Sequence, residues 1–205
     1  MRKFCFVSLA LAIAVAGCIS RASAQAAPAA SASTYGFRQR AVVELQGAQK
    51  ELVALAQAMP QEKYAWRPAE GVRSVAEVYL HVTAGNYGLT ALAGVPPKAG
   101  FKFQGFEKSM TDKAQIVQAL NDSFEYAENG IGNLTDADLL KPVKFQNYTN
   151  AGDIILHIVA HAHEHLGQSI AYARMNGVVP PWTAERQAAQ PRKPRSSSAV
   201  ATPSS

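Results

Sequence analysis

Cysteine is nearly missing from this 205-residue chain. It occurs twice, as Cys5 and Cys18. Both lie in a stretch that reads as an export signal. Once that signal is removed no thiol remains, so disulfides do not hold the fold and no protein cysteine acts as nucleophile or ligand. Histidine is then the strongest soft-metal ligand on offer. Long apolar runs are scarce too. Phe4 to Gly17 is apolar apart from Ser8, and it is too short to anchor stably in a bilayer. No repeat of fixed period occurs, and the 48% hydrophobic content is that of an ordinary globular protein, not a collagen or a wholly disordered chain.

A real excess of positive charge is also lacking in the body. The formal charge is +5, which would normally favour nucleic acid as a partner. Arg2, Lys3 and Arg21 carry three of those charges in the leader, and residues 184–205 carry a further net three. The body, 25–183, is left at −1, and nucleic acid is not expected as a partner.

The leader has the three parts of a signal peptide. Met1-Arg2-Lys3 is a basic start, Phe4 to Gly17 the apolar segment, and Ala22-Ser23-Ala24 a small-x-small cleavage site. Val15-Ala16-Gly17-Cys18 offers a competing lipoprotein site with Cys18 as the lipidated residue. The cut after Ala24 is preferred, giving a signal peptide over 1–24. Both routes export the chain, to the periplasm or beyond, and only the Cys18 route attaches it to a membrane. Residues 25–34 read as a flexible leader and 35–183 as the folded domain. Residues 184–205 are rich in Ser, Pro, Ala, Gln and Arg and read as a disordered tail.

Four helical stretches fill the domain. The first spans about Tyr35 to Met59, with Val42, Leu45, Ala48, Leu52, Leu55 and Ala56 at helical spacing, and Pro60 stops it. The second starts at the capping box Ser74-Val75-Ala76-Glu77 and runs to about Leu92. The third runs from about Thr111 to Asn129, where Asn129-Gly130 predicts a stop, and Thr135 can cap one short turn beyond. The fourth runs from near Asn150 to Asn176, closed by Gly177 and Pro180-Pro181. Phe101-Lys102-Phe103 and Val143-Lys144-Phe145 alternate weakly and read as loop. The fold class is therefore all-α, a four-helix bundle. Its connections before Ser74 and after Leu92 are long enough to be functional or partly structured.

Four of the five histidines fall within nine residues: His157, His161, His163 and His165. Positions four apart share a helical face, so His157, His161 and His165 form a stripe, while His163 points about 200° away from His161. The rest of this helix is apolar nearly all round, so it is buried. A buried imidazole needs a partner, because leaving one unpaired costs roughly 1–3 kcal/mol. A metal ion satisfies two at once: His161 and His165 make a chelating pair, and His81 from the second helix can close a three-nitrogen face with an open position. Each of these histidines can also be read as a hydrogen-bonded core residue. His157 fits that reading or a supporting role, and His163 fits the surface. His161-Ala162-His163-Glu164-His165 contains H-x-x-E-H, an inverted zinc-peptidase pattern. Only Glu185 follows it as a further carboxylate, so a peptidase is set aside. Haem is set aside for want of a C-x-x-C-H attachment.

Three stretches together resemble the DinB-like superfamily of metal-binding helical proteins, which is distinct from the DNA polymerase of the same name. They are Tyr64-Ala65-Trp66-Arg67-Pro68-Ala69-Glu70-Gly71-Val72-Arg73-Ser74-Val75-Ala76-Glu77, then His157-x3-His161-x3-His165-Leu166-Gly167-Gln168, then Asn176-Gly177-Val178-Val179-Pro180-Pro181-Trp182. The resemblance covers about 37–183. It implies a metal triad on His81, His161 and His165, holding a divalent ion, typically zinc or nickel. It also implies thiol chemistry, since relatives include thiol S-transferases and a thiol-dependent isomerase in which the metal favours the thiolate. A low-molecular-weight thiol is the partner so implied, and a homodimer is a further expectation. Gly167-Gln168 is expected to serve packing, and Arg67, Arg73 and Arg174 surface ion pairs. Two functions stay open: a metal-dependent thiol-transfer or hydrolytic enzyme, and a non-catalytic periplasmic module that holds metal or is purely structural.

Overall fold

The computed structural model describes residues 36–190. The expected signal peptide, the expected leader and the part of the expected tail beyond Gln190 lie outside them. The described chain is mostly helical. Four long helices, α1 (Phe37–Ala58), α2 (Val75–Leu92), α3 (Lys113–Asn133) and α5 (Ala151–Met175), are joined by short elements. These are α4 (Asp136–Leu139), a hairpin of β1 (Pro142–Phe145) and β2 (Tyr148–Asn150), and a last helix α6 (Pro181–Ala189). Helices α1 and α2 each pack against both α3 and α5. None of the described helices is long and apolar enough to cross a membrane.

The helix starts follow capping chemistry. Ser74 accepts from the Glu77 amide while the Glu77 carboxylate accepts from the Ser74 amide, and Asn150 with Asp153 repeats the arrangement at α5. Thr135 and Asp138 do the same for α4. On α1 the predicted apolar face is the buried one, with Leu45, Ala48, Leu52, Leu55 and Ala56 fully enclosed. The connection from α1 to α2 is pinned by buried Tyr64. Its hydroxyl donates to the Ala56 carbonyl at 2.8 Å, and its own carbonyl accepts from the Ala76 amide. That tie fixes where Arg73 and the start of α2 stand.

Three expectations need correction. Helix α3 does not stop at Asn129-Gly130 but runs on to Asn133. Gly130 is there for a close approach: a Cβ on it would lie 2.8 Å from Val95 Cγ1. The chain is not free of strands either. Pro142–Phe145 pairs antiparallel with Tyr148–Asn150, and Gln146 makes the turn with a φ of 47°. The pairing partner is only three residues long, which is why alternation in the sequence was too short to register. Finally, residues 184–189 are not a disordered tail but the later part of α6, whose Pro181 sits in the first turn, where a missing amide costs nothing.

Candidate metal centre

The chain brings His81, His161 and His165 together. One ring nitrogen from each lies within 4.8 Å of the others. His81 is on α2, and the other two stand one turn apart on α5. The His81 and His161 Nε2 atoms are 3.1 Å apart. The rings of His161 and His165 meet edge to face with centroids 4.5 Å apart, and those of His81 and His165 at 4.7 Å. His161 and His165 are buried, and His81 is half-buried.

The outer nitrogens decide which atoms face inward. His81 Nδ1 lies 2.7 Å from Glu107 Oε1. A carboxylate only accepts, so the proton is on Nδ1 and the Nε2 lone pair points at the other two rings. His165 Nδ1 lies 2.8 Å from Gln168 Oε1, and the Gln168 amide donates to Tyr172 Oη, which donates to the Arg73 carbonyl. That chain orients the Gln168 oxygen toward His165 and leaves His165 Nε2 bare as well. Without a cation, lone pairs would converge with only one proton among them. The buried His161 Nδ1 has no hydrogen-bond partner, so its ring is held by packing instead. Its Cε1 would lie 2.5 Å from a Cβ on Gly85, so Gly85 on α2 is what admits it.

The electrostatics agree. Burial first, then the neighbouring His165 and His81, push His161 down to about 3. Burial also lowers His165, against a hydrogen bond to Gln168 that raises it. Both rings stay neutral at physiological pH, the state in which imidazole ligates a metal. Burial works to raise Glu107, but hydrogen bonds from Arg73 and His81 outweigh it and hold the carboxyl below the usual range. Arg73 grips Glu107 through two nitrogens, at 2.7 and 3.2 Å. It therefore touches both arms of the site, with its side chain toward His81 and its carbonyl toward His165.

Three neutral imidazoles with converging lone pairs suit a borderline divalent ion. Tetrahedral zinc, with Zn–N near 2.0–2.1 Å, needs nitrogens roughly 3.3 Å apart, and the His81 and His161 Nε2 atoms, at 3.1 Å, are already near that spacing.

The other histidines stay apart. His157 packs on Tyr148 of the hairpin, with centroids 5.0 Å apart. His163 is exposed, with Nδ1 2.9 Å from the Val159 carbonyl and Nε2 3.8 Å from Glu44. Glu164 is exposed off the stripe. Arg67 and Arg73 form ion pairs, with Glu77 and Glu107. Gly167-Gln168 does not serve packing. A Cβ on Gly167 would meet nothing within 4 Å, and Gln168 orients a histidine. Sequence reasoning missed Glu107 and Gly85. The length of the connection after Leu92 was the only signal for Glu107, which sits on a single turn, Phe106–Lys108, introduced by Gly105 at a φ of 75°.

The sequence pattern of the DinB superfamily matches residues 44–169. The crystal structure of a DinB-like protein from Bacillus cereus ATCC 10987 superposes with a TM-score of 0.58 at 18% identity, over 71% of this chain and 93% of that one, a likeness of fold. No curated protein matches the chain.

Proposed function

The chain belongs to the DinB superfamily, whose members typically bind a divalent metal, and from that premise we propose that His81, His161 and His165 hold one divalent ion within a four-helix bundle of α1, α2, α3 and α5. The observation that carries this is the inward turn of their Nε2 atoms, with Glu107 and Gln168 holding the outer protons of two of them. Three nitrogen donors favour zinc or nickel over magnesium or calcium. When bound, such an ion supplies Lewis acidity that lowers the pKa of a thiol or a water.

The protein's own groups do the rest. Glu107 keeps His81 in one tautomer and Arg73 keeps Glu107 in place, the supporting shell that a metal-ligating imidazole needs. His161 and His165 lie on the buried face of α5, which keeps water from behind them and leaves half-buried His81 as the side from which a small molecule enters. We read the reaction as metal-dependent thiol transfer or hydrolysis with a small-molecule substrate. The leader ending at Ala22-Ser23-Ala24 supports a location outside the cytoplasm, in the periplasm or secreted.

A non-catalytic metal-holding module is the second reading. It is favoured by Arg67 and Arg73 being paired already with Glu77 and Glu107 rather than poised for a substrate carboxylate. Protein purified from an oxidising compartment separates the two. The enzyme reading predicts turnover of an electrophile or ester that depends on added thiol or water and stops on chelation. Stoichiometric metal with no turnover across thiol acceptors and simple esters would leave the module.

A further inference from the structure

One face of α2 stays bare while the others are covered. His81, Ala84, Gly88 and Ala91 recur every three to four residues, so they line up along one side of the helix, and each is only half-buried. Phe103 and Phe145, from two separate connections, rise beside this strip, and Leu92 and Pro97 close its far end. The groove between them measures about 850 Å³, within the range of about 300–1,000 Å³ usual for small-molecule sites. It runs for ~12 Å from Ala84 to Leu92.

The lining is kept low at a cost. Gly85 and Gly88 each sacrifice about 1 kcal/mol of helix propensity. Gly85 admits the His161 ring; Gly88 admits Phe103, whose Cε1 would lie 2.8 Å from a Cβ there. Phe103 nevertheless remains 57% exposed and Leu92 40%, more apolar surface than a closed core would leave. Polar groups occur at one end only, at His81 and Glu107. The Glu107 charge is already matched by Arg73 at 2.7 Å. The groove therefore offers no unpaired charge along its length, and its polar end is marked by His81, the member of the three-histidine cluster that lines it.

We propose that this groove takes the apolar body, an aromatic ring or alkyl chain, of a neutral small molecule whose polar end reaches the histidines. Only that polar end rests on the metal reading; the apolar body does not.

The test uses the full chain and the neutral fluorophore N-phenyl-1-naphthylamine, with zinc per chain measured on the same samples. Saturable one-to-one binding is expected. Ala84→Leu and Ala91→Phe, which fill the groove at its two ends, should each weaken it at least tenfold while zinc content stays unchanged. Linear alcohols should displace the fluorophore, each added methylene tightening them by roughly fourfold until the chain outgrows the groove. Absence of saturable binding, or equal binding by both variants, overturns the proposal. So does a doubling of mass that abolishes binding, because a second copy would then be the occupant. Groove binding without zinc uptake would sink the metal reading and leave the groove standing; zinc uptake without groove binding would do the reverse.

Discussion

The α1–α3 side and the α2–α5 side of the molecule are built from helices of similar length but bury different things. Between α1 and α3 the enclosed side chains are Leu45, Leu52, Ile116, Leu120 and Phe124, with Ser123 the polar exception. Helices α2 and α5 enclose Thr83, Asn86, Thr90, His161, His165 and Ser169 as well as aliphatic residues. A buried polar group without a full set of partners costs roughly 1–3 kcal/mol; His161 Nδ1, Thr90 Oγ1 and Asn86 Oδ1 lack one on the α2–α5 side, against Glu128 Oε1 on α3. The difference teaches a division of labour. Apolar packing on one side stabilises the fold, and the other side holds the buried polar groups on which the proposed metal site draws.

The comparison breaks most visibly at Phe124. Phe124→Ala empties a fully enclosed site on the apolar side and should cost about 3–5 kcal/mol in denaturant unfolding. Metal uptake by the folded fraction should be unchanged; a loss of affinity would show that the two sides are not separate.

Next in size is Glu107→Gln, which keeps an acceptor for His81 but removes the charge. Zinc affinity, read by competition with a chelating dye, should fall about 10–100-fold. Unfolding of the metal-free chain should shift by less than about 1 kcal/mol, since the ion pair with Arg73 is partly exposed. Unchanged affinity would remove Glu107 from the site.

Acid sharpens the contrast. The folded value of His161 lies below its ordinary 6.5, so its contribution to stability is complete above pH 6.5 and is lost as the unfolded chain takes up a proton that the folded chain resists. Between pH 6.5 and 5, before most carboxylates titrate, the chelated protein should lose up to about 2 kcal/mol. His161→Gln should flatten that slope. A slope unaltered by the substitution would place the titrating group elsewhere.

How much of this was legible in the sequence follows the same division. The long helices were readable because caps such as Ser74 and Asn150 and the apolar spacing of α1 are local signals. The pairing of His161 with His165 was readable for the same reason, being four residues apart on one helix. His81 could be named as the third ligand because it is the one histidine outside the cluster of four, but at a separation of 80 residues nothing local fixes its distance, and the resemblance gave the placement its support. Glu107 and Gln168 were not legible: an acidic residue on a short turn and an amide in an apolar helix look ordinary until the fold sets them against imidazole nitrogens. Gly130 misled because a glycine that admits Val95 and a glycine that ends a helix are the same letter.

The central claim is tested most directly by counting zinc on the purified mature chain beside its His81→Ala variant, both dialysed against metal-free buffer. One zinc per wild-type chain is predicted, with a nitrogen-rich shell by X-ray absorption, and well under a tenth of that in the variant. Equal zinc in both, or none in the wild type, would contradict it.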